Sequence, residues 1–185
     1  WVNQIVSMLS LSGLFLALCW RARLKGPLSA LLAAGAVAMA TMAFVVPKFM
    51  AIWTIPLLTN AVATGGTGAE MAAALLPLLN VSIPFSLYTS FDYLGFWLYA
   101  LFAVLVMRPL HSSDRSFRVI AILVGLFGVG FHVAFACLLF GVIQASDIEV
   151  GFGLSFIPLL LLLPILVITF WRDLKQASTS LSTEH

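Results

Sequence analysis

Residues 119–143 read VIAILVGLFGVGFHVAFACLLFGVI, a run without one Asp, Glu, Lys or Arg. A helix rises 1.5 Å per residue, and the hydrocarbon core of a bilayer is about 30 Å thick. Roughly 20 such residues therefore suffice to cross it. Arg118 closes the run on one side and Gln144, followed by Asp147, on the other.

Working outward, four more apolar runs of spanning length appear at about 2–20, 28–46, 91–107 and 152–171. Hydrophobic residues make up 62% of the chain and charged ones 9%, against roughly 45–50% and about 25% in soluble domains. A soluble protein of this size has no interior large enough for that apolar surface, so its solvent is lipid. The reading is an all-α, polytopic transmembrane helix bundle of five spans. Residues 1–175 form a single transmembrane domain. The Ser/Thr-rich stretch 176–185 is expected to be a disordered cytoplasmic tail.

The charges orient the bundle. Arg21, Arg23 and Lys25 follow the first run, Arg108, Arg115 and Arg118 separate the third and fourth, and Arg172 and Lys175 follow the fifth. The other connections carry Glu70, Asp92, Asp147 and Glu149, with Lys48 alone among cations. Eight of nine basic residues thus fall on one side, which the positive-inside rule makes the cytoplasm. The expected topology is N-terminus out, C-terminus in, in a bacterial inner (plasma) membrane. Residues 1–20 lack a basic leader and precede Arg21, which reads as a span and not as a signal peptide. A further span before Trp1 would make six.

Segment 47–90 breaks the pattern with Pro47, Pro56, Pro77 and Pro84 and the turn Thr64-Gly65-Gly66-Thr67-Gly68. Its apolar pieces, about 49–63 and 71–87, are short or proline-broken. By parity they span twice or not at all. With no Lys or Arg in the turn to hold it inside, re-entrant or interfacial helices are expected, covering a pocket. Irregular backbone at membrane depth must be buried in protein or line a cavity.

Helices in lipid pack through small residues. Ser29, Ala33, Ala36, Ala40 and Ala43 form such a face on the second run, and Asn3, Ser7, Ser10 and Ala17 a stripe on the first. The two are expected to pack together. On the fourth run Ala121, Gly125, Gly128, His132 and Ala136 share a face, with His132 near mid-membrane. An ionisable residue at that depth should point into protein. It either hydrogen-bonds a neighbouring helix, lines a small-molecule site, or serves as axial ligand to a tetrapyrrole pigment or haem. No second buried histidine exists for a bis-histidine haem, since His111 lies in a loop and His185 in the tail.

Asn80, Ser82, Ser86, Tyr88, Thr89, Ser90 and Asp92 form a polar band. It is read either as an interfacial hinge or as a pocket wall, with Asn80, Ser86, Tyr88 and Asp92 the candidate ligand-binding residues. Asn80-Val81-Ser82 matches a glycosylation sequon but lies in an apolar stretch and is read as chance. Trp1, Trp20, Tyr88, Tyr93 and Trp171 fall where interfacial aromatic belts belong. Cys19 and Cys137 read as small hydrophobes.

Phosphate loops, HExxH helices and GxSxG elbows are absent, and Ser155 with His132 is the one remote nucleophile–base pairing. All acidic residues are placed in connections or at span ends, so no charge pair is expected within the bilayer. No catalytic residue, metal, resident cofactor or nucleic-acid surface is expected. The leading function is a non-catalytic structural or accessory subunit packing in the bilayer against partner membrane chains or as a homo-oligomer. The alternatives are a small apolar-molecule or lipid binding or transport protein with its site under 47–90, and a pigment- or haem-carrying subunit using His132.

Overall fold

The computed structural model describes residues 1–83, 85–112, 114–144 and 147–182. Pro84, Ser113, Ala145, Ser146 and residues 183–185 lie outside the described residues, as do the side chains of Ile148, Glu149, Asp173 and 176–182. Among the described residues helix is the only regular secondary structure, with no strand. Helices α1 (Val2–Ala22), α2 (Pro27–Ile52), α5 (Leu87–Leu110), α6 (Arg115–Leu139) and α7 (Ile148–Ser182) contain five segments long and apolar enough to cross a membrane. Between α2 and α5 lie α3 (Thr54–Thr64), α4 (Ala69–Leu75) and a 3-10 turn at Leu76–Leu79. At 11 and 7 residues, α3 and α4 each fall well short of the roughly 20 needed for a crossing.

Several boundaries differ from the sequence reading for local reasons. Helix α2 continues through Pro47 to Ile52 instead of ending at 46. Proline removes one N–H from a helix interior, and neighbouring helices in a bundle compensate for that loss; Pro47 is buried. The break comes at Trp53, and Pro56 in the first turn of α3 cannot donate back across it. Helix α5 starts earlier because Ser86 caps it, its Oγ accepting from the Thr89 amide at 3.2 Å. Helix α6 starts at Arg115 because Asp114 accepts from the Ser116 amide at 2.7 Å. Helix α7 has no glycine or proline after Pro164 and carries on through Ser182, beyond the apolar pattern.

The core is a seam of small residues and aromatics. Ala33, Ala36 and Ala40 of α2 are buried as expected, but α2 leans mainly on α5. Phe44 sits directly on Gly95, where an added Cβ would lie 2.7 Å from its ring. The Phe44 ring also packs against Phe96 and Tyr99 at 4.7 and 5.3 Å. Helix α5 crosses α6 at Gly128, whose Cβ position is 3.0 Å from the Ala100 carbonyl oxygen.

Helix α1 meets the bundle on a different face from the one anticipated. Ser12, Phe15, Leu18, Cys19 and Ala22 are buried. Asn3, Ser7 and Ser10 are exposed, and both serine hydroxyls turn back to their own helix, on Asn3 O and Val6 O. The packing residue is Ser12, whose hydroxyl meets Thr41 Oγ1 and the Tyr99 hydroxyl at 2.7 Å each, tying α1 to α2 and α5.

Up-and-down connectivity gathers Arg21, Arg23, Lys25, Arg108, Arg115, Arg118, Arg172 and Lys175 at one end of the bundle. Contacts across that end include Lys25 Nζ on His111 O at 2.8 Å and the Arg21 guanidinium 4.7 Å from the Phe117 ring. Trp1, Lys48, Asp92 and all of α3 and α4 belong to the opposite end.

Candidate functional site

At that second end, α2 and α5 face each other with an ion pair between them. Lys48 Nζ lies 2.5 and 2.6 Å from the two Asp92 carboxylate oxygens. The Lys48 side chain is 6% exposed and that of Asp92 20%. This corrects the sequence reading, which put Lys48 in a connection and allowed for no buried charge pair. Because α2 passes through Pro47, Lys48 stands on a helix, near its C-terminus, and Asp92 stands near the N-terminus of α5. Each helix dipole favours the charge it carries there. Both charges are largely withdrawn from solvent, so each depends on the other.

Tyr88 sits one turn before Asp92 on the same face of α5. Its ring lies 4.9 Å from Lys48 Nζ, a cation–π distance, and 5.7 Å from the Trp1 ring. Tyr88 is 1% exposed, and among the described residues its hydroxyl meets no hydrogen-bond partner. A buried phenol left in that state is uncommon, because losing water without a replacement costs about 1–3 kcal/mol.

Tyr88 forms part of the wall of a cavity of about 630 Å³. The cavity is roofed by the irregular segment through Ile55, Val62, Ala73, Leu76 and Pro77, and walled by Trp1 and Ala51 from the bundle. Its surface is mostly apolar, with Asn80 at one edge. The roof is loosely held: α3 has no buried residue, and it joins α4 through Gly65 and Gly68, both at positive φ.

The four candidate ligand residues therefore divide. Tyr88 and Asn80 line the cavity, and Asp92 lies behind Tyr88 in the ion pair. Ser86 is the buried cap of α5, and Asn80 Oδ1 also accepts from the Ser82 amide at 2.9 Å, closing a local turn. Lys48 and Trp1 were not among the candidates. The signal for Lys48 was in the sequence, as the single cation on the acidic side of the charge map.

His132 stands apart from this site. It is half-buried, its Nδ1 is 2.7 Å from the Gly128 carbonyl one turn back, and its ring centroid is 6.4 Å from that of Trp97. Among the described residues its hydrogen bond is thus to its own helix. Gly128, the residue that would let a macrocycle lie flat beside His132, is where α5 crosses. A tetrapyrrole laid against Gly128 would meet Ala100, Ala103 and Val104 there. Ser155 Oγ likewise returns to Gly151 O at 3.1 Å. Cys19 and Cys137 are free thiols, and no cluster of three or more His, Cys, Asp or Glu occurs among the described residues.

No protein-family model, no curated protein and no solved structure matches this chain.

Proposed function

We propose that the chain is a non-catalytic, multi-pass membrane protein that binds a small apolar molecule or a lipid chain in the cavity beneath 55–83. The observation that carries this reading is the cavity of about 630 Å³ with Tyr88 in its wall, a residue whose buried hydroxyl has no partner among the described residues. Apolar walls with one or two polar groups are the usual composition of a small-molecule site. A ligand with a polar end would give that hydroxyl the partner it lacks. The accessory-subunit reading draws less support, because the small residues Ala33, Ala36, Ala40 and Gly128 are used within the bundle. In this reading α3 and α4 are interfacial helices at the outer surface and the basic end is cytoplasmic, as the eight-to-one split of cations favours. A cysteine at Ser112 should then be labelled from the cytoplasmic side only, and labelling from outside would reverse the orientation.

The binding test is thermal unfolding of the purified chain in detergent, titrated with a linear fatty alcohol. Binding to the folded state alone raises stability by about 2.7 kcal/mol at a hundredfold excess over Kd. The wild type should show a saturable rise. Ala73→Trp, which fills the cavity from an exposed position on α4, should not. An identical rise in both proteins would place binding elsewhere, and no rise in either would remove the proposal.

A further inference from the structure

A second concavity lies at the other end of the molecule, on the outer face of α5 and α6. It is a groove of about 510 Å³. Its floor is Ala121 and Gly125, and Met107, Leu126 and Val129 form its sides. Arg108 and His111, both exposed, close one end. The groove is shallow-floored because small residues recur on this face of α6, and Gly125 leaves the room that Met107 uses, since a Cβ there would lie 3.3 Å from the Met107 sulfur. None of its lining residues is shared with the cavity under 55–83.

We infer that this groove binds one acyl chain of an anionic phospholipid, with the lipid phosphate held by Arg108 and His111. Three observations converge on that occupant. The walls are apolar along Ala121–Val129, about 12 Å of helix, close to the half-thickness of a hydrocarbon core of about 30 Å. The polar residues sit at one end only, where the run of apolar residues stops and the headgroup layer of that leaflet would begin. Both are basic side chains at the bundle end that already concentrates eight of nine cations. Basic pockets between membrane helices on the cytoplasmic side recognise anionic headgroups. Arginine also matches phosphate geometrically through paired N–H donors. Asp114, the nearby acid, is engaged in capping α6.

Native mass spectrometry of the full chain tests this, with phosphatidylglycerol and phosphatidylcholine of identical acyl chains offered at equal mole fraction. Two basic contacts should favour retention of the anionic lipid by about tenfold. Arg108→Gln with His111→Gln should bring the two lipids within about twofold, whereas Arg172→Gln, a cation outside the groove, should change nothing. Val129→Trp, at an exposed wall position, should lower retention of both lipids without altering their ratio. All these changes are at exposed positions, so each variant should melt with the wild type. Equal retention of both lipids by the wild type would overturn the inference. So would a preference that survives the double substitution, or displacement of the lipid by inorganic phosphate alone, which would mark a bare anion site without a chain groove.

Discussion

Tyr99 and Tyr88 stand three turns apart on α5, and both are buried, at 0% and 1% exposure. Their surroundings differ in the one respect that matters for function. Tyr99 lies in the waist of the bundle, where its hydroxyl meets Ser12 and its ring packs edge-on against Phe15 at 4.9 Å. Tyr88 lies under a roof of short helices, beside an ion pair and a cavity, with its hydroxyl unmatched among the described residues. Where every polar group is satisfied by another helix, the polar group serves assembly. Where one is not, and its residue walls a cavity, the polar group is a candidate for contact with something else. The waist therefore specifies the fold and the roofed end holds the candidate site.

The largest effect expected comes from breaking the ion pair at the roofed end. Removing one partner of a buried pair leaves an uncompensated charge and typically costs about 3–5 kcal/mol. Asp92→Ala should be the worse of the two single changes, because it strands Lys48, whose side chain is 6% exposed against 20% for Asp92. Lys48→Met combined with Asp92→Leu should recover most of the loss, since two apolar residues need no partner there. Thermal unfolding in detergent of the three variants measures this. Single variants that melt with the wild type would show the pair to be solvated and would detach Tyr88 from any buried electrostatic site.

The two regions were unequally legible in the sequence. The bundle was, because apolar length and charge placement are local properties that survive without contacts: five runs became five long helices, and Ala33, Ala36 and Ala40 are buried. What they pack against was not, because a smooth face looks the same whether α1 or α5 covers it. Ser12 was passed over for Ser7 and Ser10, one hydroxyl among several with nothing local to rank it. At the roofed end, Tyr88, Asp92 and Asn80 were singled out from the polar band. Lys48 was lost by letting Pro47 end a helix that in fact continues for another turn and a half. Proline's effect inside a membrane bundle depends on neighbours, and neighbours are not written in the local sequence.

An intermediate effect is expected at the α5–α6 crossing. Gly128 has the Ala100 carbonyl oxygen, Ala103 Cβ and Val104 Cγ2 all 3.0 Å from where its Cβ would be. A carbonyl oxygen held in a helix has no rotamer with which to yield, so the helices must move apart. Gly128→Ala should cost about 1–3 kcal/mol, and Gly128→Leu should cost more. Leu161→Ala, at an exposed position on α7, should change melting by less than about 0.5 kcal/mol. If Gly128→Ala melts with Leu161→Ala, the waist is looser than its geometry and the contrast with the roofed end weakens.

Among the candidate site residues the smallest effect is expected at His132, although its depth in α6 singled it out in the sequence. A mid-membrane histidine must satisfy its ring polarity somehow, and here the Gly128 carbonyl, one turn back on the same helix, stands 2.7 Å from Nδ1. That bond is local, so it ties no second helix to α6. The ring's other neighbour is Trp97, at a tilted 59°, a contact that an amide side chain would lose only in part. A glutamine amide can donate to the same carbonyl. His132→Gln should therefore shift stability by less than about 1 kcal/mol, the range of a single neutral hydrogen bond exchanged for another. It should also leave fatty-alcohol binding at the roofed end unchanged. The visible absorbance of wild-type protein isolated with its native lipids gives the opposing arm. A tetrapyrrole band that disappears in His132→Gln would require α5 to swing off Gly128, opening the waist that Tyr99, Ser12 and Thr41 close. The functional centre would then move from the roofed end into the bundle.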